Sequence, residues 1–181
     1  MRNNKITLIA LFVLTMTTAV FAAENWKEKL RKELPLLGHR NWIVVADSAY
    51  PLQIAPGIET IYVAADQLTV VKEMLAELDK AKHVKPTIYT DVEMQFVDEK
   101  NAPGIGAYRN GLGKLLADKP VQNLPHEEII AKLDEAGKSF KVLLIKTQLT
   151  VPYTSVFLQL GCGYWTSESE KELRETMKSA K

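Results

Sequence analysis

Leu36-Leu37-Gly38-His39-Arg40-Asn41-Trp42-Ile43-Val44-Val45-Ala46-Asp47-Ser48-Ala49-Tyr50-Pro51 is the stretch whose reading decides the fold. Trp42 to Ala46 is a short apolar run of the kind that forms a buried strand. Gly38 is placed to close a preceding helix in the left-handed conformation, and His39 follows it directly. Asp47 stands where the strand runs out into Ser-Ala-Tyr-Pro, a turn-prone exit at which a carboxylate faces a cleft more readily than the core. A histidine and a carboxylate are thus held at opposite ends of one strand. A plainer reading also stands, in which Asp47 caps the turn and His39 is a cation at a helix C-terminus.

Outward from that strand, Trp26, Leu30, Leu34 and Leu37 recur at helical spacing between lysines and glutamates, giving an amphipathic helix over Asn25 to Leu36 with Pro35 tightening its last turn. Ile58 to Ala64 is β-branched and alternating, hence a second strand. Asp66 or Thr69 caps a helix whose Val70, Val71, Met74, Leu75 and Leu78 face one side. Strand, loop and helix in this order predict a parallel α/β arrangement. Pro86 to Phe96 reads as a strand with Asp91 and Glu93 on a solvated face and Val92, Met94 and Phe96 opposite. Asn101 to Gly106 is a loop, followed by a helical stretch from Tyr108 to Ala117.

Leu124-Pro125-His126-Glu127-Glu128-Ile129-Ile130 marks a sharp helix start, with an early proline and acids in the first turn. Ile129, Ile130, Leu133 and Ala136 form its buried face and Gly137 ends it. Phe140 to Thr147 and Pro152 to Gly161 supply the last two strands. Thr166 to Lys181 is a charged, loosely packed helical tail. The expected fold is therefore α/β, a single compact domain with a mostly parallel sheet flanked by helices.

Composition narrows the function. The chain has 181 residues, 46% hydrophobic and 25% charged, the profile of one globular domain. A net charge of +1 gives no reason to expect nucleic acid or an anionic membrane as partner. Residues 1–23 carry Arg2 and Lys5, an apolar run from Ile6 to Val20, and small residues at Ala22 and Ala23, the order of a cleavable export signal. Cleavage would leave 21 basic residues against 22 acids and a mature chain free of the membrane, periplasmic or secreted. The single Cys162 has no intramolecular disulfide partner and, in its apolar Gly-flanked setting, reads as a buried structural thiol. Gly104-Ile105-Gly106 has neither the Lys-Ser/Thr of a P-loop nor a third glycine, which argues against nucleotide binding.

His39, Asp47, His126, Lys146, Tyr153 and Ser155 all fall at the ends of predicted elements. Leu37-Gly38-His39, then Val44-Val45-Ala46-Asp47-Ser48-Ala49-Tyr50-Pro51, and later Pro152-Tyr153-Thr154-Ser155-Val156-Phe157-Leu158 together resemble the ribose pyranase and fucose mutarotase family. Ile58 to Leu78 matches more loosely, so the resemblance spans most of residues 24–165, between the leader 1–23 and the tail 166–181. It implies a ring-shaped pentamer or decamer that interconverts monosaccharide ring forms and anomers, of pentoses or 6-deoxyhexoses, with no cofactor and no metal. It also implies roles: His39 as acid/base, Asp47, His126 and Tyr153 as sugar-binding groups, and Ser155 where the family has an asparagine. Ser155 is a shorter group with one donor instead of two. A non-catalytic sugar-binding or oligomeric accessory protein of the same fold is the alternative. A zinc site from His39, Asp47 and His126 is a further one, unsupported by any helical His-x-x-x-His or paired-Cys spacing.

Overall fold

The computed structural model describes residues 26–180, so the leader expected at 1–23 lies outside the described residues. Helix α1 spans 26–33 and runs into a 3-10 turn at Leu34–Leu36, where Pro35 falls as expected. Strand β1 is Trp42–Ala46, buried along its whole length. It is followed by β2 (Ile58–Tyr62), α2 (Gln67–Lys80), β3 (Val84–Asp91), α3 (Ile105–Leu115), β4 (Val121–Leu124), α4 (His126–Gly137), β5 (Val142–Lys146), β6 (Val156–Cys162) and α5 (Ser167–Ser179).

The six strands form one sheet in the order β2-β5-β1-β6-β3-β4. Pairings β1/β5, β2/β5 and β3/β4 are parallel, whereas β6 runs antiparallel to both β1 and β3. Five strands therefore point the same way and end on one edge of the sheet, and β6 begins on that same edge.

Alternation along the strands sends successive side chains to opposite faces. Ile43, Val45, Leu143, Ile145 and Leu158 meet α1, α2 and α3 on one face, through Leu30, Val70, Met74 and Leu112. Trp42, Val44, Val142, Leu144 and Phe157 meet α4 on the other, through Ile129 and Leu133. Trp42 stacks on Tyr89 with ring centroids 5.5 Å apart, joining β1 to β3 across β6.

Several local expectations change. Gly38 does not take the left-handed conformation; Arg40 does, at φ 76°, so the chain turns two residues later than the glycine suggests. The strand expected to reach Phe96 stops at Asp91 and becomes a 3-10 turn over Val92–Gln95, which leaves Phe96 82% exposed and Asp91 fully buried. Strand β4 was not foreseen: it has four residues with a half-buried, half-exposed pattern and is a strand because its backbone pairs with β3. Cys162 is half-buried rather than buried. Helix α5 follows the expected tail, with no buried residue along it.

Candidate functional site

The edge where the parallel strands end gathers several polar and titratable side chains. Val156 pairs with Val45 on one side and Thr90 on the other, which places Ser155 between the ends of β1 and β3. The backbone register thus brings Asp47, Asp91 and Ser155 together, although they lie far apart in sequence. Asp91 also pairs with Leu124, two residues before His126 at the start of α4.

Asp47 does two things at once. Its Oδ1 accepts from the Ala49 amide at 2.8 Å, the turn cap read from the sequence, and its Oδ2 accepts from the Ser155 hydroxyl at 3.2 Å. Ser155 is buried at 2% exposure, so this hydroxyl is already committed to Asp47. Lys146, at the end of β5, spends its ammonium on the Tyr50 carbonyl at 2.7 Å.

His126 is held from three sides. Its Nδ1 lies 3.1 Å from Asp91 Oδ2, and its backbone amide donates to both Glu93 oxygens at 3.0 and 3.1 Å. Its ring meets Tyr153 edge-on, with centroids 5.7 Å apart. Tyr153 is itself strained: φ is +57°, a conformation that a bulky side chain adopts only when its surroundings impose it, and such outliers concentrate at functional sites.

What imposes it is a buried polar network beneath the turn. The Thr154 carbonyl accepts from Gln67 Nε2 and from the Tyr108 hydroxyl, each at 2.6 Å. Gln67 Oε1 in turn accepts from Thr147 Oγ1 at 2.8 Å, and that hydroxyl also reaches the Ala46 carbonyl. One glutamine therefore ties the turn carrying Tyr153 and Ser155 to the ends of β1 and β5. Burial pushes the Tyr108 hydroxyl well above the ordinary phenol range, so it stays protonated and donating.

Electrostatically the site is acidic and partly buried. Burial raises the Asp91 carboxyl to about 6, opposed by the charge and hydrogen bond of His126 and assisted by Glu93 and Asp47. Asp91 Oδ1 and the Tyr50 hydroxyl are buried polar atoms without a hydrogen-bond partner among the described residues. Burial, then the charges of Asp134, Asp91 and Asp47, also drives the Tyr50 phenol upward.

His39 is elsewhere. It is exposed at the opposite edge of the sheet, before β1 begins, and the five residues of β1 at about 3.3 Å each separate it from Asp47 by roughly 17 Å. There it borders two open hollows. One, about 730 Å³, lies against Trp42, Glu128, Lys132 and Gln159; the other, about 710 Å³, lies against Cys162, Tyr164, Trp165 and Glu170. Within one chain the structure thus brings together Asp47, His126, Tyr153 and Ser155, and leaves His39 apart from them. The zinc grouping of His39, Asp47 and His126 does not form within a chain, and no cluster of three or more ligating side chains occurs among the described residues. The third histidine is structural: His83 Nε2 lies 3.1 Å from the Leu34 and Leu37 carbonyls and ties down the end of α1.

Asp91 and Glu93 are the site residues that sequence reading passed over. Their alternation looked like a solvated face, and only the register with β4 and β6 turns Asp91 inward.

No family model matches the chain. A D-ribose pyranase of Symbiobacterium thermophilum is 28% identical over 137 residues, covering 71% of this chain and 87% of that protein. FucU of Bifidobacterium longum shares the fold at 16% identity and TM-score 0.50, covering 74% of this chain and 94% of that one. Bacillus subtilis RbsD, solved with D-ribose, is 26% identical with TM-score 0.49, covering 74% of this chain and 91% of that one. The chain is thus similar in sequence to a D-ribose pyranase over most of that protein's length, and its mostly parallel six-stranded sheet shares its fold with FucU.

Proposed function

We propose that this protein is a cofactor-independent mutarotase or pyranase that interconverts ring forms or anomers of a monosaccharide, a pentose or 6-deoxyhexose. The observation that carries this reading is the convergence of Asp47, His126, Tyr153 and Ser155 on one strand-end edge, a set of hydroxyl-binding groups with a titratable imidazole among them. The D-ribose pyranase relative supports the sugar as substrate class.

The chemistry needs little machinery. A base removes the proton of the anomeric hydroxyl, the carbonyl forms, the bond from C1 to the ring oxygen breaks, and its electron pair takes a proton from an acid. Reclosure on the other face, or through another hydroxyl, returns both protons. An imidazole serves either direction at neutral pH, and positioned acid/base groups contribute roughly 10²- to 10⁴-fold. Asp47 and Tyr153 orient hydroxyls, and Ser155 orients Asp47.

His39 enters as the second acid/base group from a neighbouring copy of the chain. Supporting this is its exposure at the opposite edge beside open hollows, where a second subunit could seat its strand-end cluster. The protein is accordingly proposed to act as a cyclic homo-oligomer, a pentamer or decamer. Export to the periplasm or beyond is proposed from the order of residues 1–23 alone; N-terminal sequencing of the cell-derived protein tests it, with Ala23 or Glu24 expected first.

Saturation-transfer NMR on a panel of pentoses and 6-deoxyhexoses tests the enzyme reading. Exchange between anomers or ring forms with the wild type, and its loss in His39→Ala, is the expected result. Binding without exchange for every sugar would replace the enzyme by a sugar-binding accessory protein.

A further inference from the structure

We infer that Asp91 is a positioning residue for His126, fixing its imidazole in the Nδ1–H tautomer so that Nε2 is presented bare as the proton acceptor of the site. This rests on the mutarotase reading for its consequence, but not for its geometry. Asp91 ends β3, and Glu93 stands two residues later on the 3-10 turn; both reach the same residue of α4. Asp91 Oδ2 takes the ring at Nδ1, 3.1 Å away, while Glu93 takes the backbone amide with both oxygens.

The Glu93 contact has its own logic. Helix α4 has Pro125 at its N-cap, which offers no side-chain cap, so a carboxylate from another element takes that role and fixes where the helix starts. With the backbone pinned by Glu93, the ring direction is left to Asp91. Tyr153 closes a further side by its edge-on contact, and Nε2 makes no hydrogen bond with any described residue. An ionised carboxylate can only accept, so it selects the tautomer with hydrogen on Nδ1 and a lone pair on Nε2.

A purely structural role accounts poorly for Asp91. It is fully buried, and its Oδ1 has no partner among the described residues, an arrangement that penalises the folded state. An apolar residue at the end of β3 would serve packing better. What the carboxylate supplies and an apolar residue cannot is control of the imidazole proton.

Long-range ¹H–¹⁵N correlation spectra of the full ¹⁵N-labelled protein at pH 8 read the tautomer directly, with His126→Gln identifying the His126 signals. The wild type is expected to show His126 as the Nδ1–H tautomer, and Asp91→Asn to shift it to a mixed or inverted population. Glu93→Gln is expected to keep the tautomer. Where a sugar exchanges, Asp91→Asn should slow that exchange about 10- to 100-fold, a part of what acid/base catalysis supplies. A wild-type His126 in the Nε2–H form, or a tautomer unchanged in Asp91→Asn, overturns the inference. Should Asp91→Asn not fold, the wild-type spectrum still decides. Absence of sugar exchange in the wild type would refute the mutarotase reading while leaving the tautomer result to judge Asp91.

Discussion

Asp91 also makes the stability of this protein depend on pH in a direction opposite to most carboxylates. Burial raises its carboxyl from 3.8 to about 6, so between those values the folded chain holds a proton that the unfolded chain releases. A group raised in the folded state contributes stability that is complete below its unfolded value and lost as pH climbs through its folded one. At 1.36 kcal/mol per pH unit, the full span is about 3 kcal/mol, of which about 2 kcal/mol falls between pH 4.5 and 7.5. Asp91→Asn carries a neutral amide at every pH and removes this dependence. Urea unfolding of both proteins at fixed concentration across that range isolates the effect, because the other groups cancel in the difference. The wild type should lose about 2 kcal/mol relative to Asp91→Asn between pH 4.5 and 7.5, or roughly 4–8 °C in melting temperature for a domain of this size. In a His126→Gln background the loss should grow, since the carboxylate then lacks its nearest opposing charge. A difference that stays flat, or turns in favour of the wild type as pH rises, would mean that the imidazole outweighs burial, and would refute the reasoning.

Further expectations concern the scaffold beneath the site. Gln67→Leu leaves the Tyr108 hydroxyl and the Thr154 carbonyl with one partner fewer and should destabilise by about 1–3 kcal/mol in urea while weakening sugar binding through the Tyr153 turn. Tyr153→Gly removes a half-exposed ring but relieves a positive φ worth about 1 kcal/mol, so its urea midpoint should stay near wild type while sugar exchange is lost. Trp42→Ala opens the α4 face of the sheet beside Tyr89 and should destabilise by about 3–5 kcal/mol, measured the same way.

Much of the scaffold was legible because long apolar periodicities speak for themselves. Helix α2 shows its face in Val70, Val71, Met74, Leu75 and Leu78, and its cap is Asp66, which accepts from the Thr69 amide at 2.8 Å. Strand β1 declared itself by an uninterrupted apolar run, and α4 by Pro125 and its two glutamates. What stayed hidden depended on pairing between distant segments. Val121–Leu124 carries too little apolar character to read as a strand until β3 lies beside it. Asp91 is solvated by its alternation and buried by its register. Parallel strand direction, rather than any local motif, sends Asp47 and Ser155 to one edge and His39 to the other. The family resemblance names His39, Asp47, His126, Tyr153 and Ser155 as one set, of which a single chain gathers the last four at one edge and leaves His39 at the other. That resemblance does not include the Asp91 and Glu93 hold on His126.

Subunit complementation tests the proposed shared site most directly. His39→Ala and Asp47→Ala chains, each inactive alone in sugar exchange, are co-expressed in equal amounts and the mixed assemblies assayed. If each site takes its imidazole from one copy and its carboxylate from another, random assembly restores about a quarter of wild-type exchange per site. No recovery in verified mixed oligomers, or wild-type exchange by a protein that sediments only as monomer, would contradict the account.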